Sequence, residues 1–234
     1  MERDVVSKIK DPGASIDTPW LVFDNLPIWD EVLYLGRRVV WPRGARIRGP
    51  GDPAHGIFLI RSGLIKVSAV SREGMLRTLW LMGAGSVLGE AALLSGKPYR
   101  HEISVMEPAE AHEFPEPVVM RELLEKYPAL SRQLLVNIAA KSYIGSSQLE
   151  DAVFLNGPQR VARLLYGLDQ VHRSSSLPVS HLAIAEMLGL HRVTVSNAIG
   201  LLRRAGFLDE TTHGIRVADP DGLAAYAQDP SGGH

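Results

Sequence analysis

The chain has 234 residues, 45% of them hydrophobic and 22% charged, with a formal net charge of -1. That is the profile of an ordinary globular protein with room for two compact domains. It contains no cysteine, which excludes disulfides, thiolate zinc sites, thiolate-held iron–sulfur clusters and a cysteine nucleophile. No run approaches the roughly 20 apolar residues that a bilayer span needs. The opening Met1-Glu-Arg-Asp-Val-Val-Ser-Lys8 lacks the apolar core of a signal peptide, so a cytoplasmic protein without a membrane partner is expected.

Residues 1–20 hold Asp11-Pro-Gly13 and Thr18-Pro19 with no sustained period and read as a loose arm. Trp20 to Leu35 is apolar and predicts one or two short helices. From Arg37 to Phe114 the chain breaks into short β-rich runs: Val39–Trp41, Gly56–Ile60, Leu64–Val70, Leu76–Leu81 and His101–Val105. Turn signals at Pro42-Arg-Gly44, Gly49–Pro53, Ser62-Gly63, Arg72-Glu-Gly74 and Gly83-Ala-Gly85 divide them. Short strands at that spacing predict an antiparallel barrel or sandwich.

After Pro117 the period becomes helical. Val118–Lys126 predicts one amphipathic helix and Ala129 to about Leu155 a long one. Leu135, Ile138, Ser142, Gly145, Leu149 and Ala152 recur along the long helix in alternating steps of three and four, the pattern of a self-association seam. Asn156-Gly-Pro158 then reads as a hinge into a helix over 159–171, in which Asn156 caps and Pro158 fits the first turn. Arg173–Pro178 reads as a loop.

The densest signal lies between Val179 and Gly206. Ser180 caps a helix over His181–Leu188, Gly189 supplies the tight turn, and a second helix runs from Arg192 to Ala205. Within the second helix Val195, Ile199 and Leu202 are expected to pack on Ile184 and Leu188. That leaves Arg192, Val193, Ser196 and Asn197 on the outer face, a long cation among small groups that can enter a major groove. From Arg160 to Gly206 the charge sums to +4 on a chain whose net charge is -1, as expected of a modular DNA binder. Gly206–Val217 reads as a hairpin, the wing of a winged domain. There is no His-x-His on the barrel runs, His101 and Glu102 alternate across a strand, and no serine-nucleophile elbow or phosphate-binding Gly-Lys loop occurs. An enzyme is therefore not expected, nor a metal centre.

Three stretches in order, Gly51-Asp-Pro-Ala-His-Gly-Ile-Phe-Leu-Ile-Arg-Ser-Gly63, Gly89-Glu-Ala-Ala-Leu93 and the helix-turn-helix, resemble the CRP/FNR superfamily over about Arg37 to Val217. The resemblance implies an α+β chain: an N-terminal double-Greek-key β-roll of the cyclic-nucleotide-binding, jelly-roll type, a long dimerisation helix and a C-terminal winged helix-turn-helix. The corresponding domains are 1–20 (arm), 21–127 (effector-sensing roll), 128–156 (central helix and hinge) and 157–234 (DNA-binding domain). The implied function is that of an allosteric transcription regulator, acting as a homodimer on near-palindromic double-stranded DNA, with RNA polymerase as a further partner.

By the family pattern Arg192, Val193, Ser196 and Asn197 face bases, Thr194 a phosphate, and Ser180 joins the DNA-contacting set. The best-known members carry Glu at the place of Val193 and Arg at that of Asn197, so a different operator is expected. For the effector, Gly89, Glu90, the amide of Ala91 and Arg100 match the ribose- and phosphate-holding positions of cyclic-nucleotide members. His101 stands where a hydroxyl is usual, Gly145 where an adenine-reading Thr is usual, and Ser146 retains its neighbour. A protonated His101 could still face an anion. Cyclic AMP and some other small effector both stay open on these residues. A haem sensor using His55, His101 or His112 and a methionine is a further reading, as is a sensor module acting on a protein partner without DNA.

Overall fold

The computed structural model describes residues 21–22, 27–172, 176–177, 179–211 and 214–228. The arm predicted over 1–20 and most of the loop predicted over 173–178 lie outside them. The described residues divide into two compact units, one within 21–74 and 78–145, the other comprising 75–77 and those within 146–228. The division falls inside the long helix, between residues 145 and 146.

The first unit contains β1 (Leu21–Val22), a 3-10 helix (Pro27–Leu35), β2 (Arg37–Trp41), β3 (Arg46–Arg48), β4 (Gly56–Val70), β5 (Leu76–Met82), β6 (Val87–Leu88), α1 (Glu90–Ser95) and β7 (Glu102–Pro115). The strands form a seven-stranded sheet ordered β1-β5-β4-β7-β2, with β3 on β7 and β6 on β4. Two expectations change here. Leu21–Val22 is a short strand running parallel to Leu81–Met82, not a helix. Gly56–Ile60 and Leu64–Val70 are one 15-residue strand, antiparallel to the 14-residue β7, and Ser62-Gly63 is no turn but the middle of β4.

The sequence of β4 explains this. Ile57 and Leu59 point into one core with Trp29, Phe114, Leu123, Leu130 and Leu134, whereas Phe58 and Ile60 point into the other, with Ile47, Met82 and Val105. Beyond residue 60 the inward set has shifted to Ile65 and Val67. The parity changes because the register slips between Ile60 and Ile65. The three register shifts there flip which side chains face the core, so the strand stays inward-facing while curving into a roll.

Residues 116–126 form a single helical stretch, α2 (Glu116–Val118) and α3 (Leu124–Lys126) joined by a π turn over Val119–Leu123. The long helix α4 then spans Pro128–Phe154.

The second unit holds α5 (Gly157–His172), α6 (His181–Leu188), α7 (Arg192–Arg204), β8 (Leu208–Thr211), β9 (Gly214–Val217) and α8 (Pro220–Gln228). Asn156 Oδ1 accepts from the Gln159 N–H, and Gln159 Oε1 accepts from the Asn156 N–H, each at 3.0 Å. This is a capping box, built on Asn and Gln, that satisfies two orphan amides at the start of α5. Val161, Leu164, Leu165 and Leu168 of α5 are buried with Leu223 and Ala227 of α8 and with the helix-turn-helix core. Arg160 anchors α5 to α6 by donating to the Leu188 carbonyl. Arg163 Nε lies 3.1 Å from the mostly buried Asp151, whose carboxyl is held above the usual carboxylate range by burial. β8 and β9 form the predicted hairpin, and Leu177 and Ile215 exchange backbone hydrogen bonds, tying it to the segment ahead of α6.

Candidate nucleic-acid interface and ligand chamber

The helix-turn-helix folds as its residues dictate. Ser180 Oγ accepts from the Ala183 N–H at 3.1 Å and caps α6, and Gly189 ends it with φ +62°. A left-handed residue lets the chain turn within one step, at no cost to glycine. Ile184 and Leu188 of α6 and Val195, Ala198, Ile199 and Leu202 of α7 are all buried, so the inner faces lock together. Arg192, Val193, Thr194 and Asn197 are exposed on the opposite face, and Val193 is 71% exposed. Ser196 is half-buried, its hydroxyl 2.9 Å from Nδ1 of His181. It braces α7 against α6 as well as bordering the outer face. His191 precedes α7 without a side-chain cap, as expected of a poor capping residue.

In the first unit a partly open cavity of about 560 Å³ lies between the roll, α1 and the middle of α4. Its wall is mainly apolar, with Val67, Trp80, Met82, Leu88 and Ile103 from the sheet and Ile138 from α4. Gly89, Glu90, Ala91, Arg100, His101 and Gly145, all expected effector residues, meet in this lining. Ser146 does not; it is exposed at the next position of α4. Ile138, Ser142 and Gly145 were expected in the self-association seam, yet all three line the cavity. A side of α4 that stays open runs through Leu135, Ala139, Ser142, Ser146, Leu149 and Val153, with Ala152 beside it. On its other side α4 turns a partly polar face inward, where Asn137 and Gln148 are buried.

Gly89 has φ +92° at the approach to α1. A Cβ there would sit 2.5 Å from the Tyr99 hydroxyl and 2.8 Å from the Gly56 carbonyl oxygen. Gly89→Ala is therefore expected to destabilise the roll by about 1–3 kcal/mol, read as a lowered unfolding midpoint by tryptophan fluorescence. Burial pushes the Tyr99 hydroxyl up to about 12, partly offset by Arg48. Burial, and then the neighbouring Arg100, lower His101 below the usual histidine range. Both disfavour the charged imidazolium that would face an anion. Trp80 meets its ring edge-on, with centroids 6.0 Å apart.

The residue that sequence reasoning missed is Lys141. Its Nζ donates to Glu90 Oε1 and to the Val87 carbonyl, each at 2.7 Å. The side chains of Glu90 and Lys141 are 3% and 13% exposed. A single lysine in a helix of mixed composition carries no local signal; only its place on the same face as Ile138 and Gly145 hints at the cavity. Among the described residues no group of three His, Asp or Glu side chains could hold a metal ion, and no helix is long and apolar enough to cross a membrane.

A winged helix-turn-helix that leaves the outer face of its second helix bare, paired with a roll bordering a chamber, defines a ligand-sensing, DNA-binding regulator. Comparison with known proteins agrees. The cyclic nucleotide-binding domain family matches residues 38–127, and the Crp-like helix-turn-helix domain family matches residues 159–226. The chain is 25% identical over 197 residues to the CRP-like cAMP-activated global transcriptional regulator of Mycobacterium tuberculosis, covering 81% of this chain and 88% of that one. It is 28% identical over 192 residues to the global nitrogen regulator of Synechococcus elongatus, covering 78% and 86%. The solved structure of the c-di-GMP responsive global regulator CLP of Xanthomonas campestris superposes with a TM-score of 0.74 at 19% identity, over 83% of this chain and 100% of that one. The chain belongs to the CRP/FNR family of effector-responsive transcription regulators.

Proposed function

We propose that two copies of the chain pair along α4 and present two α7 helices to successive major grooves, on a near-palindromic duplex site. In this reading Arg192, Val193 and Asn197 touch base edges, Thr194 and Ser180 touch the backbone, and a small effector in the chamber changes how the helices are presented. The observation that carries it is the bare outer face of α7, four exposed side chains on a helix whose inner face is wholly packed. An arginine so placed can pair bidentately with guanine, and Val193 offers apolar contact to a thymine methyl. Pairing along α4 is supported by Leu135 and Leu149, 67% and 65% exposed on a stripe with alternating four- and three-residue steps. The relatives respond, by their names, to cyclic AMP in one case and c-di-GMP in another, which supports an effector without selecting one.

The test is a titration of the full chain onto a duplex bearing two selected half-sites about 10 base pairs apart, centre to centre, and onto one bearing a single half-site. Tight binding at one dimer per double site is expected, with far weaker binding to the half-site. Leu149→Arg, which puts a charge into the stripe, is expected to give a monomer by light scattering and at least a tenfold loss on the double site. A dimer with unchanged binding would place the pairing surface elsewhere.

A further inference from the structure

The chamber lies where cyclic-nucleotide members seat their ligand, but its residues do not fit that ligand. The carboxylate that would accept from a ribose hydroxyl is Glu90, and Glu90 is already bonded to Lys141 in the protein's interior. Displacing Lys141 would leave a buried ammonium without its anion, and would also release the Val87 carbonyl that it satisfies. The walls formed by Val67, Met82, Leu88 and Ile103 carry no hydrogen-bonding side chain, which leaves little beyond Trp80 and Ser142 in the apolar part of the lining to answer the polar edge of a purine.

What the chamber does offer is different. Because Lys141 cancels Glu90, the remaining charge is positive: Lys97 and Arg100 line the cavity, are exposed, and pair with no carboxylate among the described residues. His101 beside them, its charged form disfavoured by burial, adds ring surface. The arrangement is an apolar interior with two cations at its rim, inside the size range of small-molecule sites.

We infer that this chamber takes an apolar anion, a hydrophobic body ending in one carboxylate or sulfonate, and that Lys141 is the specificity-determining residue that closes it to ribose-bearing nucleotides. The inference rests on the reading of the chamber as the effector site. Arg100 and Lys97 hold the acid group, the apolar wall receives the body, and Lys141 occupies the acceptor that a sugar would need.

The experiment titrates the full chain with anilinonaphthalene sulfonate, an apolar anion whose emission rises in a dry site, and then displaces it with decanoate or cyclic AMP. One dye per chain is expected, displaced by decanoate and not by cyclic AMP, and bound about tenfold more weakly by Arg100→Ala. Lys141→Met, verified as folded by its melting curve, is expected to let cyclic AMP compete. Cyclic AMP displacing the dye from the unaltered protein, with Arg100 still required, overturns the ligand class while leaving the chamber as the effector site. Dye binding indifferent to Arg100→Ala overturns the chamber reading itself. No dye binding to the unaltered protein overturns the inference, whatever the variants do.

Discussion

Lys141→Ala is expected to lower the stability of the β-roll by about 3–5 kcal/mol, the usual consequence of removing one partner of a buried ion pair. Three losses act together. Glu90, 3% exposed, loses the ammonium its carboxylate is bonded to. The Val87 carbonyl loses its donor. The lysine stem also leaves a gap beside Ile138 and Ser142 in the cavity wall. Trp29 and Trp41 belong to the two cores of this unit, so urea unfolding followed by tryptophan emission reads the loss. A companion variant separates charge from packing. Glu90→Leu combined with Lys141→Met removes both charges and keeps volume, and should regain most of the stability, because the desolvation of two ions is no longer incurred. If the double variant is as unstable as the single one, the pair's worth lies in shape rather than charge.

Arg192→Ala is expected to reduce discrimination between cognate and random duplex by about 1–3 kcal/mol, ten- to a hundredfold or somewhat more, while sparing non-specific affinity. The side chain opens α7, is exposed, and makes no ion pair among the described residues. It is therefore free for a base edge. Most non-specific affinity comes from phosphate contacts, which other cations and backbone amides share, so the salt slope should fall by about one contact or less. Fluorescence anisotropy on both duplexes at several salt concentrations measures both quantities. A uniform loss on all sequences would reassign Arg192 to a phosphate.

The DNA-binding unit was legible in the sequence almost throughout, because its determinants are local. Ser180, Gly189, Asn156 and Pro158 punctuate the helices, and Ile184, Val195, Ile199 and Leu202 keep helical spacing. Even α8, not foreseen, carries a local signal in Asp219-Pro220, since Asp219 Oδ1 accepts from the Gly222 N–H. The roll was less legible. Arg61-Ser-Gly63 resembles a turn, yet it is a bulged stretch of one long strand, and only the shift of inward residues from even to odd numbers records this. Half of β7, from Glu107 to Pro115, was missed because its Glu and His residues dilute the apolar alternation. Along α4 the polar part of the inward face was hidden. Lys141 and Asp151 face inward, where partners receive them, and Gln148 is buried, whereas Leu135 and Leu149 face out. Apolar periodicity reads a helix correctly only when its buried face is apolar, and an ion pair with a residue 51 positions away leaves no trace in spacing.

The most direct test is the ratio of affinities for a selected duplex and a scrambled one, measured with the full chain near physiological salt. A ratio of about a thousand or more is expected of a chain that reads bases through α7, together with a steep fall in both affinities as salt rises. Equal affinity for the two duplexes, or no retention of duplex even at low ionic strength, would contradict the account.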